Sequence, residues 1–321
     1  MAKRNSKKSR EATQAKMDAA LADMTAQVIE AIENDPGNWT KPWADTLASG
    51  LPVNVATKKR YNGGNIFWLT IVAQGQNFPT NVWGTYKQWA SVGGQVRKGE
   101  VSTLGMFYKQ IVITEEVDGE EKRKRIPVLK SFPLFNAAQV EGADEIVAAR
   151  FPQPEVGEVS PIEHAEKFFT EVGADVRFGG DRAFYRHTAG FDGDVDFIQL
   201  PERNTFRSAE DFYGTMGHEH VHWTGYKDRL DRTKGKHFGD EVYAREELVA
   251  ELGSAFLNGY LGISGPTGCG HAAYLASWLK VLKEEPRALW SAVGDAAKAL
   301  DFLVHEAGEN GDAFEDEEVA A

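Results

Sequence analysis

No stretch restricts this chain more than Gly217-His218-Glu219-His220-Val221-His222-Trp223-Thr224-Gly225. Ser208 before Ala209-Glu210-Asp211 reads as an N-cap and Gly225 as a stop. The spacing therefore predicts a helix in which His218 and His222 lie one turn apart on one face. Two imidazoles aimed at one point can hold Zn²⁺ at about 2.0–2.1 Å per nitrogen, and Glu219, beside the first, can take a proton from a water that the metal activates. The fold must then bring a third ligand onto this helix and leave one position open, which is the arrangement of a zinc hydrolase.

The third ligand is expected downstream, in Tyr243-Ala244-Arg245-Glu246-Glu247-Leu248-Val249-Ala250-Glu251-Leu252, where Glu246, Glu247 and Glu251 are the candidates. Glu247 and Glu251 are four apart on one helical face, so one can bind the metal while the other hydrogen-bonds a ligand imidazole. We assign Glu247 as ligand and Glu251 as support, with Glu251 as the alternative ligand; Glu246 reads as a solvated helix face. The Glu-x-x-x-acid spacing resembles the third-ligand helix of thermolysin-like gluzincins. His220, about 200° around the helix from His218, reads as a supporting or surface residue rather than a ligand. His237, after Lys234-Gly235-Lys236, reads as a surface histidine on a loop.

Length and composition set the frame. The 321 residues, 42% hydrophobic and 26% charged, suffice for two domains and are ordinary for a soluble globular protein. No apolar run approaches the roughly 20 residues of a membrane span. The opening Met1 to Arg10 is charged with no apolar core behind it, unlike a secretory signal. The single cysteine, Cys269, excludes an intramolecular disulfide and suits a cytoplasmic setting; Gly268-Cys269-Gly270-His271 is too lone a cluster for a zinc site.

The net charge of −12 hides an asymmetry: residues 1–135 hold 19 Lys/Arg and 13 Asp/Glu, residues 136–321 hold 17 and 35. A basic half suits a nucleic-acid partner. Much of its excess sits in the tail through Lys16, however, and the remainder is close to neutral. The case therefore rests on patches and aromatics. Trp39, Trp43, Trp68, Trp83 and Trp89 are interleaved with Lys41, Lys58-Lys59-Arg60, Lys87 and Arg97-Lys98. Aromatic faces that stack unpaired bases, beside cations that follow phosphates, are what sequence-tolerant single-strand binders use. Trp68, in Ile66-Phe67-Trp68-Leu69, reads as core, whereas Trp43 and Tyr61 sit next to basic residues and read as surface. The candidate nucleic-acid contacts are Trp43, Lys58, Lys59, Arg60, Tyr61, Lys87, Arg97 and Lys98.

The periodicities predict an α+β chain. Helices are expected from Glu11 to Glu33 (stripe Met17, Leu21, Met24, Val28, Ile32), from Ile66 to about Gln74 and from Tyr86 to Val92. A short strand is expected from Asn81 to Thr85. A hairpin pairs Ser102–Thr114 with Lys124–Asn136 around a polar tip. After a linker, a helix from Ile162 to Val172 precedes strands at Asp175–Phe178, Ala183–Tyr185 and Asp196–Leu200. The last of these is read as an edge to which an extended peptide could add. The metal helix, the carboxylate helix to Leu257 and helices from about Ala272 to Glu284 and Arg287 to Leu303 complete the chain. The expected division is a basic disordered tail (1–16), a first domain (17–140), a linker (141–160), a second domain (161–307) and an acidic disordered tail (308–321).

Across nearly the whole chain the spaced motifs resemble one family. Asn38-Trp39-x-x-Pro42-Trp43, Tyr61-x-Gly63-x-Asn65, Trp83-x-Thr85-Tyr86-x-Gln88-Trp89, Gly93-Gly94-x-Val96-Arg97-Lys98-Gly99-Glu100 and Phe135-Asn136-x-x-Gln139 are similar to the ArdC-type antirestriction proteins, whose N-terminal domain also begins TraC-type primases. Ala183-Phe184-Tyr185, His218-Glu219-x-x-His222-Trp223-Thr224-Gly225 and Tyr243-Ala244-x-Glu246-Glu247-Leu248-x-Ala250-Glu251 resemble that family's metallopeptidase-like domain; His220 stands where an apolar residue is expected. The resemblance implies a protein of a plasmid, phage or other mobile element. It would have a single-stranded-DNA-binding domain and a gluzincin-like zinc domain, and would protect incoming DNA from host restriction. Host restriction enzymes or another protein are then the expected substrate, with Tyr185 or Tyr243 as oxyanion donor; no membrane is involved. The alternative is a non-catalytic protein that binds DNA or a restriction enzyme and uses zinc structurally.

Overall fold

The computed structural model describes residues 50–117, 120–152, 161–188, 195–232, 241–263, 282–285 and 287–309, with helical positions Ala19, Ala22, Thr25, Ala26, Ile29 and Glu33 before them. Trp39, Trp43, His237, Cys269, the stripe from Met17 to Ile32, the N-terminal tail, residues 310–321 of the acidic tail and most of the helix expected from Ala272 lie outside the described residues.

The N-terminal half is built on a four-stranded sheet ordered β1-β2-β5-β4, from β1 (Val53–Asn54), β2 (Val82–Gly84), β4 (Thr103–Val117) and β5 (Glu120–Asn136). β1 and β2 are parallel, joined through helix α1 (Gly64–Gly75), and β4 and β5 form the expected hairpin. Its pairing runs to Val117 opposite Glu120, beyond the expected strand ends, because backbone pairing propagates through polar residues as readily as through apolar ones. Helix α1 is apolar on all sides, which requires cover on all sides. Leu69 and Ala73 pack with Trp83 and Leu134, whereas Ile66 and Phe67 enter the core of the other half. Helix α2 (Tyr86–Ser91) starts with a capping box in which Thr85 and Gln88 satisfy each other's backbone N–H groups. β3 (Gln95–Val96) pairs with β6 (Val140–Glu141).

The expected linker is corrected by helix α3 (Ala143–Arg150). Ala143, Ile146, Val147 and Phe151 pack against Val55, Trp89, Val96 and Val140, an apolar set at helical spacing that binds this segment to the first half. Arg150 donates to the carbonyls of Val55 and Ala56, both at 2.6 Å.

In the C-terminal half, helix α4 (Pro161–Val172) precedes a three-stranded sheet of β7 (Val176–Phe178), β8 (Phe184–Thr188) and β9 (Val195–Leu200). The spatial order is β7-β9-β8, so β9 is the central strand, parallel to β7 and antiparallel to β8, and not the expected edge. Being last in sequence did not place it outermost, since the chain returns between two strands already laid down. Helices α5 (Ala209–Thr224), α6 (Glu241–Leu261) and α7 (Arg287–Glu306) follow. α5 and α6 cross closely at two glycines. A Cβ on Gly253 would lie 2.8 Å from Val221, and one on Gly217 would lie 3.4 Å from Leu257 and Ser254.

One hydrophobic core joins Leu51, Ile66 and Phe67 of the first half to Phe168, Ile198, Phe212, Leu248 and Leu300 of the second. Phe67 meets Trp290 edge-on at 5.9 Å, and buried Arg60 pairs with Asp301 at 2.5 Å. The two halves are therefore packed together rather than hung on a tether.

Candidate metal centre

Helix α5 starts where expected: the Ser208 hydroxyl accepts from the Asp211 N–H at 3.1 Å. One turn apart on this helix, His218 and His222 bring their Nε2 atoms to 3.1 Å of each other. Helix α6 supplies the third group. Glu247 Oε2 lies 3.7 Å from His218 Nε2, and its Oε1 lies 3.4 Å from His222 Nε2. One ligand atom from each of the three falls within 4.8 Å of the other two, which is the set expected from the sequence.

Each imidazole also faces a carboxylate on its other nitrogen. Glu251 Oε1 is 3.6 Å from His218 Nδ1, and Glu246 Oε1 is 3.4 Å from His222 Nδ1. The expectation of a solvated Glu246 is therefore corrected: it is 7% exposed and gripped by Arg232, whose Nη2 and Nε donate at 2.9 and 3.2 Å. Such outer carboxylates fix ring orientation and raise ligand basicity. The tandem Glu246-Glu247 was the available signal; Arg232, fourteen residues away, had none in the local pattern.

Charge in this cluster is one-sided. Glu219, Glu246, Glu247 and Glu251 are all buried, with Arg232 as the guanidinium among them. Burial alone would lower the His222 pKa, but its hydrogen bonds to Glu246 and Glu247 and the charges of Glu247 and Glu219 push it up to about 10. Burial likewise works to raise Glu246, and its bonds to His222 and Arg232 override this and hold it down to about 2. Glu247 is held low against burial by His222, His218 and a hydrogen bond from Tyr243. Two imidazole nitrogens and a carboxylate oxygen, in a pocket that draws positive charge, fit a divalent first-row metal and leave a coordination position over.

His220 is not a surface residue. It is fully buried, its ring 4.6 Å from Phe169, its Nδ1 2.8 Å from the Met216 carbonyl. Burial lowers its pKa to about 4. Since the unfolded chain takes up this proton near pH 6.5 and the folded chain only near 4, the stability present above pH 6.5 is lost as pH falls through that window, about 3 kcal/mol in all. Denaturant titrations of wild type and His220→Met between pH 7 and pH 4 should show a flatter loss in the variant.

Tyr185 accepts from Arg229 at 2.8 Å and donates to Asp196, so its hydroxyl is occupied by structure. Arg229 also lies over Trp223 at 4.0 Å and pairs with Asp196 at 2.8 Å, tying β8 and β9 to the end of the metal helix.

The expected nucleic-acid contacts divide. Arg60 is buried against Asp301, and Tyr61 is 2% exposed, its hydroxyl accepting from Asn54 at 3.0 Å; neither is a surface group. Asp301 lies too far along the chain for Arg60's pairing to be legible locally. Lys58, Lys87, Arg97 and Lys98 are exposed, and Lys59 is partly so. Trp83 and Trp89 are core, and Trp68 is half-buried with its indole N–H on the Leu104 carbonyl.

Residues 18–135 match the N-terminal domain of the anti-restriction factor ArdC, and residues 163–295 match a zincin-like metallopeptidase. The crystal structure of the antirestriction ArdC protein from the R388 plasmid, metal-free, is 33% identical and superposes with a TM-score of 0.69 over 90% of this chain and 97% of its own. Its Mn(II)-bound form gives 0.67, over 90% and 98%. The uncharacterized protein y4eC of Sinorhizobium fredii is 37% identical across 87% of this chain and 90% of its own length. Two Escherichia coli DNA primases TraC are 37% and 38% identical over 87% of this chain, which spans only 26% and 19% of theirs.

Proposed function

The chain belongs to the ArdC family of antirestriction proteins, and from that premise we propose that it binds single-stranded DNA of a mobile element and protects it from host restriction with a zinc-dependent peptidase site. The observation that supports the hydrolytic part is the convergence of His218, His222 and Glu247 beside the buried carboxylate of Glu219. A purely structural site has no use for that extra carboxylate.

His218 Nε2, His222 Nε2 and a Glu247 oxygen would hold the ion, with Glu251 and Glu246 keeping the two rings in place. When bound, Zn²⁺ supplies a Lewis acid that polarises a carbonyl and acidifies a water. Glu219 takes the proton of the attacking water and passes it to the departing amide nitrogen. Among the described residues no strand pairs with the outer edge of β8, and β8 packs on the metal helix; Phe184–Thr188 therefore takes the substrate-pairing role expected of Asp196–Leu200. The shared core supports a chain that acts as one body, so DNA held by the first half keeps the metal centre close to proteins working on that DNA.

The test is delivery of unmodified plasmid into a restricting host, together with binding of purified protein to a labelled oligonucleotide. Transfer should rise when the chain is supplied, and the affinity should fall linearly on a log–log plot against salt. Transfer unchanged by the chain would refute the antirestriction reading.

A further inference from the structure

Lys87, Arg97 and Lys98 are exposed basic residues of the first half, whereas Tyr61 is buried and offers them no aromatic face. Arg97 and Lys98 line an open concavity of about 520 Å³ with Tyr86, Gln95, Phe135 and Glu141, and Lys87 follows Tyr86 on α2. We infer that this concavity seats a nucleobase of single-stranded DNA, stacked on Tyr86 and hydrogen-bonded by Gln95, with Lys98 and Lys87 meeting the adjoining phosphates. The inference rests on the single-strand reading above and assigns it a place.

Tyr86 opens α2 and is 50% exposed, while Trp89, one turn on, fills the core beneath. An aromatic ring left half in water beside a cavity of nucleotide size is a stacking platform. Its orientation is set in advance, because Gln95 Nε2 donates to the Tyr86 hydroxyl at 3.0 Å. The same nitrogen donates to the Val96 carbonyl at 3.0 Å, so both amide hydrogens are used and the carboxamide oxygen is left to accept. All four bases offer it an amino or imino N–H, so contact is gained without sequence preference.

The cations around the pocket are not equivalent. Arg97 is fixed to Glu100 at 2.8 Å and to the Ala138 carbonyl at 2.5 Å, which makes it a wall and neutralises Glu100. Lys98 stands on a turn closed by the Glu100 N–H on the Arg97 carbonyl, with Gly99 at φ 91°, and has no carboxylate partner among the described residues. On the far side of α2, Asn54 Nδ2 donates to Gln88 Oε1 at 3.0 Å and ties the Lys58-Lys59 turn to the helix. A strand leaving the pocket across α2 would therefore meet Lys87, then Lys58 and Lys59. Glu141 opposes the phosphates.

The test is fluorescence anisotropy of a labelled oligothymidine with the full chain. Tyr86→Ala should weaken binding about 5- to 150-fold, and Tyr86→Phe, which keeps the ring, should stay within about threefold of wild type. Lys98→Ala should lower the salt slope by about 1, and Glu141→Gln should tighten binding. Tyr86→Ala binding within twofold of wild type, with an unchanged unfolding midpoint, would overturn the pocket. Wild type that retains no oligothymidine at low salt would instead overturn the single-strand reading itself.

Discussion

Glu219→Gln is expected to keep its metal and lose its chemistry. Gln preserves size and polarity, and the ligand atoms of His218, His222 and Glu247 are untouched, so metal per chain should stay near that of wild type. What disappears is a group able to accept a proton at neutral pH. Removing a positioned general base costs about 10²- to 10⁴-fold in rate, and the site is buried, so bulk buffer is a poor substitute. Metal content by mass spectrometry, cleavage of a protein substrate and protection of transferred DNA, measured together, separate the two functional readings. Metal retained with protection lost means that the chain works by hydrolysis. Metal and protection both retained would mean that it works by binding, with the ion serving as scaffold.

The second large effect concerns which carboxylate holds the ion. Glu247→Ala removes the oxygens lying 3.4 and 3.7 Å from the two imidazole nitrogens. Glu251→Ala and Glu246→Ala instead remove carboxylates on the far side of each ring. Loss of an outer carboxylate weakens metal binding about 10- to 100-fold, and loss of Glu247 should exceed either. Thermal unfolding with and without Zn²⁺ reads the order directly. Wild type should gain about 4 kcal/mol at a thousandfold excess over Kd, and Glu247→Ala almost nothing. Without metal, Glu247→Ala should already unfold somewhat earlier than wild type, because His222 and Tyr243 lose a partner, so the ligand role is read from the gain on adding Zn²⁺ and not from the metal-free midpoint. A larger loss from Glu251→Ala than from Glu247→Ala would transfer the ligand role to Glu251.

Much of the metal centre was legible because its information is local. Ser208, His218, Glu219 and His222 lie on one helix whose pitch sets their relation, and the four-residue step from Glu247 to Glu251 does the same on α6. Capping signals were local too, as at Thr85 and Gln88. The burial of Glu246 was not legible, because its partners, His222 and Arg232, come from other segments. The burial of Arg60 was hidden for the same reason, since Asp301 lies far along the chain, and Tyr61 beside it looks like a surface aromatic until the core closes over it. Helix α3 differs, because its apolar spacing is local but glycines and prolines on either side carry the opposite signal.

The sequence by itself determined which side chains gather at His218, His222 and Glu247, the helices that hold them and the family, since each depends on residue types at short fixed spacings that helical and strand geometry convert directly into direction. The tertiary structure alone decided that β9 lies between β7 and β8, that the two halves share a core, and that Tyr86 rather than Tyr61 faces solvent beside Lys98. Those outcomes depend on which distant surfaces meet. That is set by the burial of apolar area summed over the whole chain, a quantity no short window contains.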